Sequence, residues 1–180
     1  MWFDMRKESL GFANLAPVVH SCDAEVAAPR AVVFATFAEA RSWKHWFPNV
    51  RDAQYISPAP YGVGTVRAAH VGRTHWVEEM IAWDDAARWA WTVTRASVPF
   101  AHAQVECFEF TDAGGATQVQ WTLALDPRLL ARLGAPFAPR VIARLFRQAM
   151  LNLEGYLRCA PTCTPEINSG LPSSAPNQSK

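Results

Sequence analysis

The sequence has little that would direct the protein into a membrane or out of the cell. Charged residues Asp4, Arg6, Lys7 and Glu8 interrupt the first ten positions, where a signal peptide would need an unbroken apolar core. No later apolar run approaches the length that crosses a bilayer. The sequence therefore predicts a soluble, cytoplasmic protein without stable membrane insertion.

Charge of one sign is also scarce, since the formal net charge is +1. Nucleic-acid binding normally needs a concentrated basic surface, so we expect no nucleic-acid partner. The one local concentration is Arg140, Arg144 and Arg147 on one face of a helical pattern. Such a face is usually solvated, but it can also attract anionic lipid headgroups or an acidic protein. Nothing in the pattern indicates an oligomeric state.

Metal-binding and nucleophile motifs are missing as well. Cys22 and Cys107 lie in strand-like runs, whereas Cys159 and Cys163 lie at the end of the last helical pattern, and we expect free thiols. His20 beside Cys22 supplies ligand types without the paired spacing of a zinc site. There is no phosphate-binding glycine loop and no Gly-x-Ser-x-Gly elbow. We expect no metal and no cofactor.

What the chain does contain is apolar and aromatic residues. Half of its 180 residues are hydrophobic, which is enough for one well-buried core. We expect an N-terminal extension over residues 1–16, which could form a short helix, and a single ligand-binding domain over 17–159. Residues 160–180 are rich in Pro, Ser, Thr and Asn, so we expect a disordered tail there. Seven of the eight tryptophans fall in the expected domain, where they either fill the core or line an apolar cavity.

The longest helical pattern runs from Arg128 to Arg158. Apolar residues recur there at every fourth position, with others beside them, which predicts an amphipathic helix. The stripe consists of Leu129, Leu133, Phe137, Val141, Leu145, Ala149, Leu153 and Leu157, flanked by Ile142, Phe146 and Met150. Gly134, Pro136 and Pro139 interrupt the pattern and predict a kink, which could let the first turns move and admit a ligand.

Short strand patterns fill most of the chain before this helix. Val18–Val26 alternates as a first strand, and two short helices follow, one starting near Pro29 and one over Arg41–Trp46. Six further strands are separated by short Gly, Pro and Asp turns: Asp52–Ser57, Gly64–Gly72, Thr74–Trp83, Arg88–Arg95, Ala101–Thr111 and Thr117–Leu125. Short turns predict an antiparallel meander, with the first strand pairing at one edge.

Two stretches, Val26–Phe34 and Ser42–Val50, carry a family resemblance, supported by Gly62–Thr65 and Gly115–Thr117. They resemble the START-related SRPBCC superfamily, in particular its polyketide cyclase/dehydratase and lipid-transport branch. The resemblance implies an α+β helix-grip fold, in which a curved antiparallel sheet of about seven strands wraps around a long C-terminal helix, with two short helices between the first and second strands. It also implies a cavity between sheet and helix, but a shared fold does not transfer chemistry.

The strand Ala101–Thr111 offers the first candidates for acid/base work in that cavity. His102, Gln104 and Glu106 alternate in phase with two aromatic residues further along, Phe108 and Phe110. A buried Glu106 would be paired or protonated, and either state suits proton transfer. The alternative is that Glu106 lies on the solvent face, opposite its neighbours in sequence.

The preceding hairpin offers a second candidate pair. His70 and His75 flank its turn, and Glu79 shares the face of His75, so a histidine and a glutamate could act as base and orienting partner. The alternative is a surface hydrogen bond. We further expect apolar ligand contacts from both walls of the cavity: Trp76, Trp89, Trp91, Gln104, Phe108 and Phe110 from the sheet, and Ile142, Phe146 and Met150 from the helix.

Three functions are compatible with these patterns. The first is binding of a small, largely hydrophobic molecule that is lipid-like, aromatic or polyketide-like. The second is a polyketide cyclase/dehydratase type of enzyme that uses Glu106, His102 and Glu79 as acid/base groups. The third is an interaction module that uses the arginine face of the C-terminal helix.

Overall fold

The structure, a computed structural model, describes residues 1–129 and 138–159. Strand β1 (Phe3–Asp4) and a 3-10 helix (Leu10–Asn14) come first. The next elements are β2 (Val18–Val26), α1 (Arg30–Ala38), a second 3-10 helix (Ala40–Ser42) and α2 (Trp43–Trp46). Six strands follow: β3 (Val50–Tyr55), β4 (Val66–Val71), β5 (Thr74–Asp84), β6 (Arg88–Ala96), β7 (Ala101–Asp112) and β8 (Thr117–Pro127). Helix α3 (Ala138–Cys159) is the last described element.

The strands form one antiparallel sheet in the order β2-β8-β7-β6-β5-β4-β3, with β1 added to β6. Strand β2 pairs with β8 along its whole length, from Val18 opposite Leu125 to Val26 opposite Thr117. The predicted meander and the edge position of the first strand are therefore confirmed. Together with helix α3 and the two short helices, this sheet is a helix-grip fold.

Glycine allows the tight turn between β4 and β5. Gly72 has a φ of 60°, in the left-handed region where a side chain would be strained. Only Gly72 and Arg73 separate the two strands, which places Val71 directly opposite Thr74. This hairpin lies at one end of the cavity described below.

Side-chain hydrogen bonds hold α1, α2 and α3 together. Trp43 Nε1 donates to the carbonyl oxygen of Phe37 at 2.7 Å, which fixes the corner between α1 and α2. Asn152 Nδ2 of α3 donates to the carbonyl oxygen of Trp46 at 3.1 Å. Glu154 of α3 accepts from the backbone N–H of Ala27 at 3.0 Å. Helix α3 is thus attached to the segment that connects β2 with β3.

Helix α3 buries Phe146, Ala149, Met150 and Leu153 against the sheet. The predicted stripe is wrong at Val141, which is 64% exposed, because the buried face is centred one position later. The arginines Arg140, Arg144 and Arg147 are exposed, as their off-stripe positions indicate. The Gly134 and Pro136 break and the tail over 160–180 lie outside the described residues. Across 1–129 and 138–159, no helix has the length and apolarity needed to cross a membrane.

The N-terminal segment extends the sheet beside β6 with β1, and its 3-10 helix then lies on the outer face of the sheet, the face opposite α3. The Met5 N–H donates to the carbonyl oxygen of Thr94 at 2.9 Å, and Phe12 packs on Ala103, Val105 and Ala124. The sheet is consequently buried on both faces in this region. The short helix expected here is a 3-10 helix, and its position is set by contacts with distant strands that no local periodicity reports.

Candidate ligand-binding site

A cavity of about 220 Å³ lies between the inner face of the sheet and α3. Most of its surface is aromatic or aliphatic, and polar side chains are concentrated on β4, β5 and β7. The apolar lining is Trp43, Phe47, Val50, Ala53, Ala69, Val71, Trp76, Trp91, Trp121, Leu123, Ile142 and Leu145, and the polar lining is Arg67, Thr74, Glu78, Gln104 and Glu106. The predicted cavity is therefore present.

Two alanines leave this space open. Ala53 of β3 and Ala69 of β4 are direct cross-strand partners, and both are buried on the inner face of the sheet. Close-packed interiors normally fill such positions with larger side chains. Because a methyl group covers so little of the sheet, the gap between these strands and α3 remains empty.

The half-buried lining residues mark the mouth of the cavity at the β4–β5 hairpin. Val71, Thr74 and Trp76 border it on the sheet side, and Ile142 and Leu145 border it on α3. Trp76 Nε1 donates to Thr74 Oγ1 at 2.7 Å, which fixes the indole ring at this entrance. Every one of these residues except Thr74 is apolar, so the entrance favours an apolar ligand.

Arg67 of β4 is the most unusual residue of the lining, because its charged side chain is only 2% exposed. Its Nε donates to Glu78 Oε2 at 2.6 Å, across the β4–β5 pair. Its Cζ lies 4.7, 4.8 and 4.6 Å from the ring centroids of Trp43, Trp89 and Trp91. One carboxylate and three aromatic rings therefore balance a charge that burial would otherwise penalise.

Glu106 of β7 is the second carboxyl group of the cavity. Gln104 Nε2 donates to its Oε1 at 2.7 Å, and Trp121 Nε1 donates to its Oε2 at 3.0 Å. Burial, followed by the negative charge of Glu78, raises the pKa of Glu106 to about 7. The two hydrogen bonds and the positive charge of Arg67 act in the opposite direction and lower it. The surface that the side chain retains faces the cavity. Glu106 consequently changes its protonation state near neutral pH, in contact with the space a ligand would fill.

Three side-chain polar atoms of the lining residues are fully buried and have no hydrogen-bond partner within residues 1–129 and 138–159. They are the donors Arg67 Nη1 and Trp91 Nε1 and the acceptor Gln104 Oε1. Trp89 Nε1 is also unpaired, but Trp89 does not line the cavity. A buried polar group without a partner costs about 1–3 kcal/mol.

The structure places the predicted binding residues, and Glu106 of the predicted acid/base residues, in two groups. Trp76, Trp91, Gln104, Glu106 and Ile142 line the cavity. The other predicted contacts are buried in the core behind the lining, namely Trp89, Phe108, Phe110, Phe146 and Met150. These residues support the lining: the Phe108 ring, for example, stacks on Trp91 and Trp121, with interplanar angles of 22° and 3°.

Two of the predicted acid/base residues lie away from the cavity. The β7–β8 register shifts between Ala101 and Ala103, and this bulge leaves His102 exposed although Gln104 and Glu106 point inward. Glu79 accepts a hydrogen bond from Lys7 of the N-terminal segment. The expected common face of His102 and Glu106 is therefore not observed, and Glu79 cannot reach a ligand in the cavity.

The predicted histidine and glutamate pair across the β4–β5 hairpin is not formed either. The rings of His70 and His75 stack on each other, with centroids 4.1 Å apart and an interplanar angle of 21°. His75 is exposed, and Glu79 pairs with Lys7. The cluster lies at the surface, as the alternative interpretation expects, but the two histidines stack instead of forming the expected hydrogen bond.

The sequence interpretation missed Arg67 and Glu78, although a signal was present. Arg67 alternates in phase with Ala69 and Val71, and Glu78 alternates in phase with Trp76. Opposite charges on the apolar faces of two strands joined by a two-residue turn predict a cross-strand ion pair that points into the core.

The described part of the chain forms no group of three or more His, Cys, Asp or Glu side chains that could hold a metal ion. Its cysteines, Cys22, Cys107 and Cys159, are free. Burial raises the pKa of the Cys107 thiol to about 11, so this side chain is a weak nucleophile at neutral pH.

Solved structures share this architecture. A START superfamily protein from Mycobacterium smegmatis superposes with a TM-score of 0.65 at 14% identity, covering 78% of this chain and 97% of the other. The Zhui aromatase/cyclase from a Streptomyces species superposes with a TM-score of 0.64 at 16% identity, covering 78% and 93%. At these identities the similarity shows the fold alone.

Sequence comparison extends the similarity to curated proteins. Proteins of Mycobacterium tuberculosis and Mycobacterium bovis, both described as uncharacterized, are 25% identical over 158 residues, which is 87% of this chain and 90% of theirs. Residues 19–158 match the family described as polyketide cyclase / dehydrase and lipid transport. Since that match covers most of the sequence, the chain belongs to the polyketide cyclase/dehydrase and lipid transport family.

Proposed function

We propose that the protein binds a small, largely hydrophobic molecule in the cavity between the sheet and α3. The observation that carries this proposal is a largely apolar cavity whose lining also includes five polar side chains: Arg67, Thr74, Glu78, Gln104 and Glu106. Apolar walls with a few convergent polar groups are typical of ligand sites. The family match supports the same function, since its description includes lipid transport and polyketide chemistry.

The volume of the cavity narrows the choice of ligand. An apolar cavity of about 150 Å³ accepts a benzene molecule. The 220 Å³ observed here suits one substituted ring or two fused rings. A long acyl chain would not fit without a change in the structure, so the proposed ligand is aromatic or polyketide-like.

Filling the cavity tests this proposal. Titration with the methyl ketone of naphthalene should saturate at one molecule per chain and shift the indole N–H signals of Trp76 and Trp91 in NMR spectra. Ala69→Phe should weaken binding by at least about tenfold, because the new ring occupies the ligand space. Ala68→Phe is the matched control, since Ala68 alternates with the inward residues Arg67 and Ala69. Equal binding by both variants, or no saturation with the unchanged protein, would contradict the proposal.

A second candidate function is proton-transfer catalysis of the cyclase/dehydratase type. The observation that favours it is Glu106, whose pKa of about 7 suits an acid/base group at neutral pH and whose carboxyl group contacts the cavity. Ionised Glu106 would remove a proton from a carbon next to a ligand carbonyl, and the protonated acid would return it. The positive charge of Arg67, which lines the same cavity, would stabilise the resulting enolate.

Deuterium exchange tests this second function without knowledge of the natural substrate. In heavy water, the protein should accelerate exchange of the acetyl protons of the same naphthalene ketone, as followed by NMR. Glu106→Gln should slow the catalysed exchange by at least about 100-fold, because the amide cannot accept the proton. Glu79→Gln should leave the rate unchanged, since Glu79 lies outside the cavity. Catalysed exchange that survives Glu106→Gln would rule out this role.

A further inference from the structure

The sheet has two ends that differ in charge. The mouth end, where the cavity opens, consists of the first residues of β2, β3, β5, β7 and α3 and the last residues of β4, β6 and β8, together with β1. The far end consists of the opposite ends of the same elements. Helix α3 connects the two, because Ile142 borders the mouth of the cavity and Glu154 accepts a hydrogen bond from Ala27 just after β2.

Positive charge predominates at the mouth end. The arginines described there are Arg51, Arg73, Arg95, Arg128, Arg140 and Arg144, and all except Arg128 are exposed. The acidic residues described there are Asp4, Asp52 and Asp126, and Asp126 already accepts a hydrogen bond from Arg6. Neither Arg73 nor Arg140 forms an ion pair with another described residue. The mouth end therefore presents cations that are available to a partner.

The far end carries the opposite charge. Its exposed acidic residues include Glu25, Asp84, Asp85 and Asp112. Arg88 at this end is already engaged by Asp84 and by Glu109. A charge distribution of this kind orients a protein during its approach to a charged surface. The mouth end will consequently face an anionic surface, and the far end will face away from it.

Exposed apolar side chains lie among the arginines of the mouth end. They are Trp2, Phe100 and Val141, with exposed fractions of 49%, 40% and 64%. The Arg95 guanidinium carbon lies 5.4 Å from the ring centroid of Trp2, and the Phe100 ring contacts Trp76 at the entrance. Aromatic rings beside basic side chains are typical of surfaces that lie in the headgroup layer of a bilayer.

This combination favours a lipid surface over an acidic protein as the partner. An acidic protein would neutralise the arginines, but it would also need a matching apolar contact for each of three separate side chains. A bilayer supplies phosphate groups to the arginines and an apolar layer to the rings without any match of shape. Arg140 and Arg144, which belong to the arginine face of α3, then act together with the loops of the sheet.

We propose that the mouth end is a docking surface for membranes that contain anionic lipids. The arginines bind the headgroups, and Trp2, Phe100 and Val141 enter the interfacial layer. The protein stays at the surface of the bilayer, with the mouth of its cavity toward the lipid. This inference goes beyond the proposed binding function, because docking needs no ligand in the cavity.

Sedimentation of the full chain with lipid vesicles tests the docking. Vesicles of phosphatidylcholine that contain phosphatidylserine should bind at least about tenfold more tightly than vesicles of phosphatidylcholine alone. High salt should reduce the difference, because it screens exposed charges. No binding to the anionic vesicles, or equal binding to both kinds, would overturn the proposal. Titration with the naphthalene ketone decides the binding function separately.

Charge reversal at the two ends tests the orientation. Arg73→Glu combined with Arg140→Glu should weaken binding to the anionic vesicles by at least about 30-fold. Arg30→Glu combined with Arg158→Glu is the matched control, because both exposed arginines lie at the far end and the net charge changes by the same amount. The control should bind within about threefold of the unchanged protein. Equal losses in the two double variants would contradict an oriented surface.

Removal of an exposed ring tests the apolar contribution. Trp2→Ala should weaken binding to the anionic vesicles by about tenfold, since the indole ring no longer enters the interfacial layer. Ile56→Ala is the control, because Ile56 is 55% exposed and follows β3 at the far end. This control should bind as the unchanged protein does. If both variants bind equally well, Trp2 does not contact the membrane and the apolar part of the surface is wrong.

Discussion

Replacing Arg67 with methionine should lower the free energy of unfolding by about 3–5 kcal/mol, which is the usual cost of leaving one partner of a buried ion pair alone. The variant keeps an apolar side chain of similar length, but it leaves the Glu78 carboxylate buried without its counter-charge. It also removes the cation from between Trp43, Trp89 and Trp91. Urea denaturation at neutral pH, followed by circular dichroism, measures the change.

The exposed Arg95 provides the matched control, because it makes a single cation–π contact with Trp2, at 5.4 Å. Arg95→Met should cost less than about 1 kcal/mol. The double variant Arg67→Met with Glu78→Gln should recover part of the loss, since it removes the stranded carboxylate as well. If Arg67→Met costs no more than Arg95→Met, the buried pair does not have the energetic role assigned to it.

The stability of the protein should depend on the titration of Glu106. The pKa of this carboxyl group is 4.5 in the unfolded reference and about 7 in the fold. Between these two pKa values, Glu106 holds a proton in the folded state that it has released in the unfolded state. Its contribution to the free energy of unfolding therefore falls as the pH rises, and it is constant above the folded pKa. A difference of about 2.5 pKa units corresponds to about 3 kcal/mol. Most of this amount, about 2.5 kcal/mol, should be lost by the unchanged protein between about pH 5 and pH 8 relative to Glu106→Gln.

The comparison with Glu106→Gln isolates this one group, because all other titrations are common to both proteins. Unfolding free energies measured across that pH range should give two curves that separate steadily below the folded pKa of Glu106. Infrared detection of the protonated carboxyl band should show the same midpoint directly. Parallel stability curves would mean that Glu106 titrates at the same pH in the folded and unfolded chains.

Local patterns were enough to predict the order of elements. Alternation in Val18–Val26 and the turn residues between later strands identify a meander, and β2 begins and ends where the sequence predicts. These features depend on neighbours in the chain, namely side-chain alternation and backbone geometry at glycine and proline. The long apolar stripe likewise predicted α3, although its buried face is displaced from Val141.

The site was harder to predict because strand irregularities decide which side chains face inward. Simple alternation put His102 on the same face as Glu106, and the bulge near Ala101 separates them. A shift of one position moves a side chain to the other face of a sheet. Arg67 was missed for a different reason. Composition suggests that a lone arginine in a strand is solvated, and only its pairing with Glu78 on the next strand shows otherwise.

The Ala53 and Ala69 pair has a consequence for how relatives of this protein can diverge. In the proposed complex, these two methyl groups on β3 and β4 would set the space for the ligand body, whereas Arg67, Glu78, Gln104 and Glu106 would supply the polar part of the lining. Substitution at either alanine would change the length or width of the accepted molecule without altering the recognised functional group. Ligand size and ligand polarity can therefore evolve as separate traits on the same scaffold.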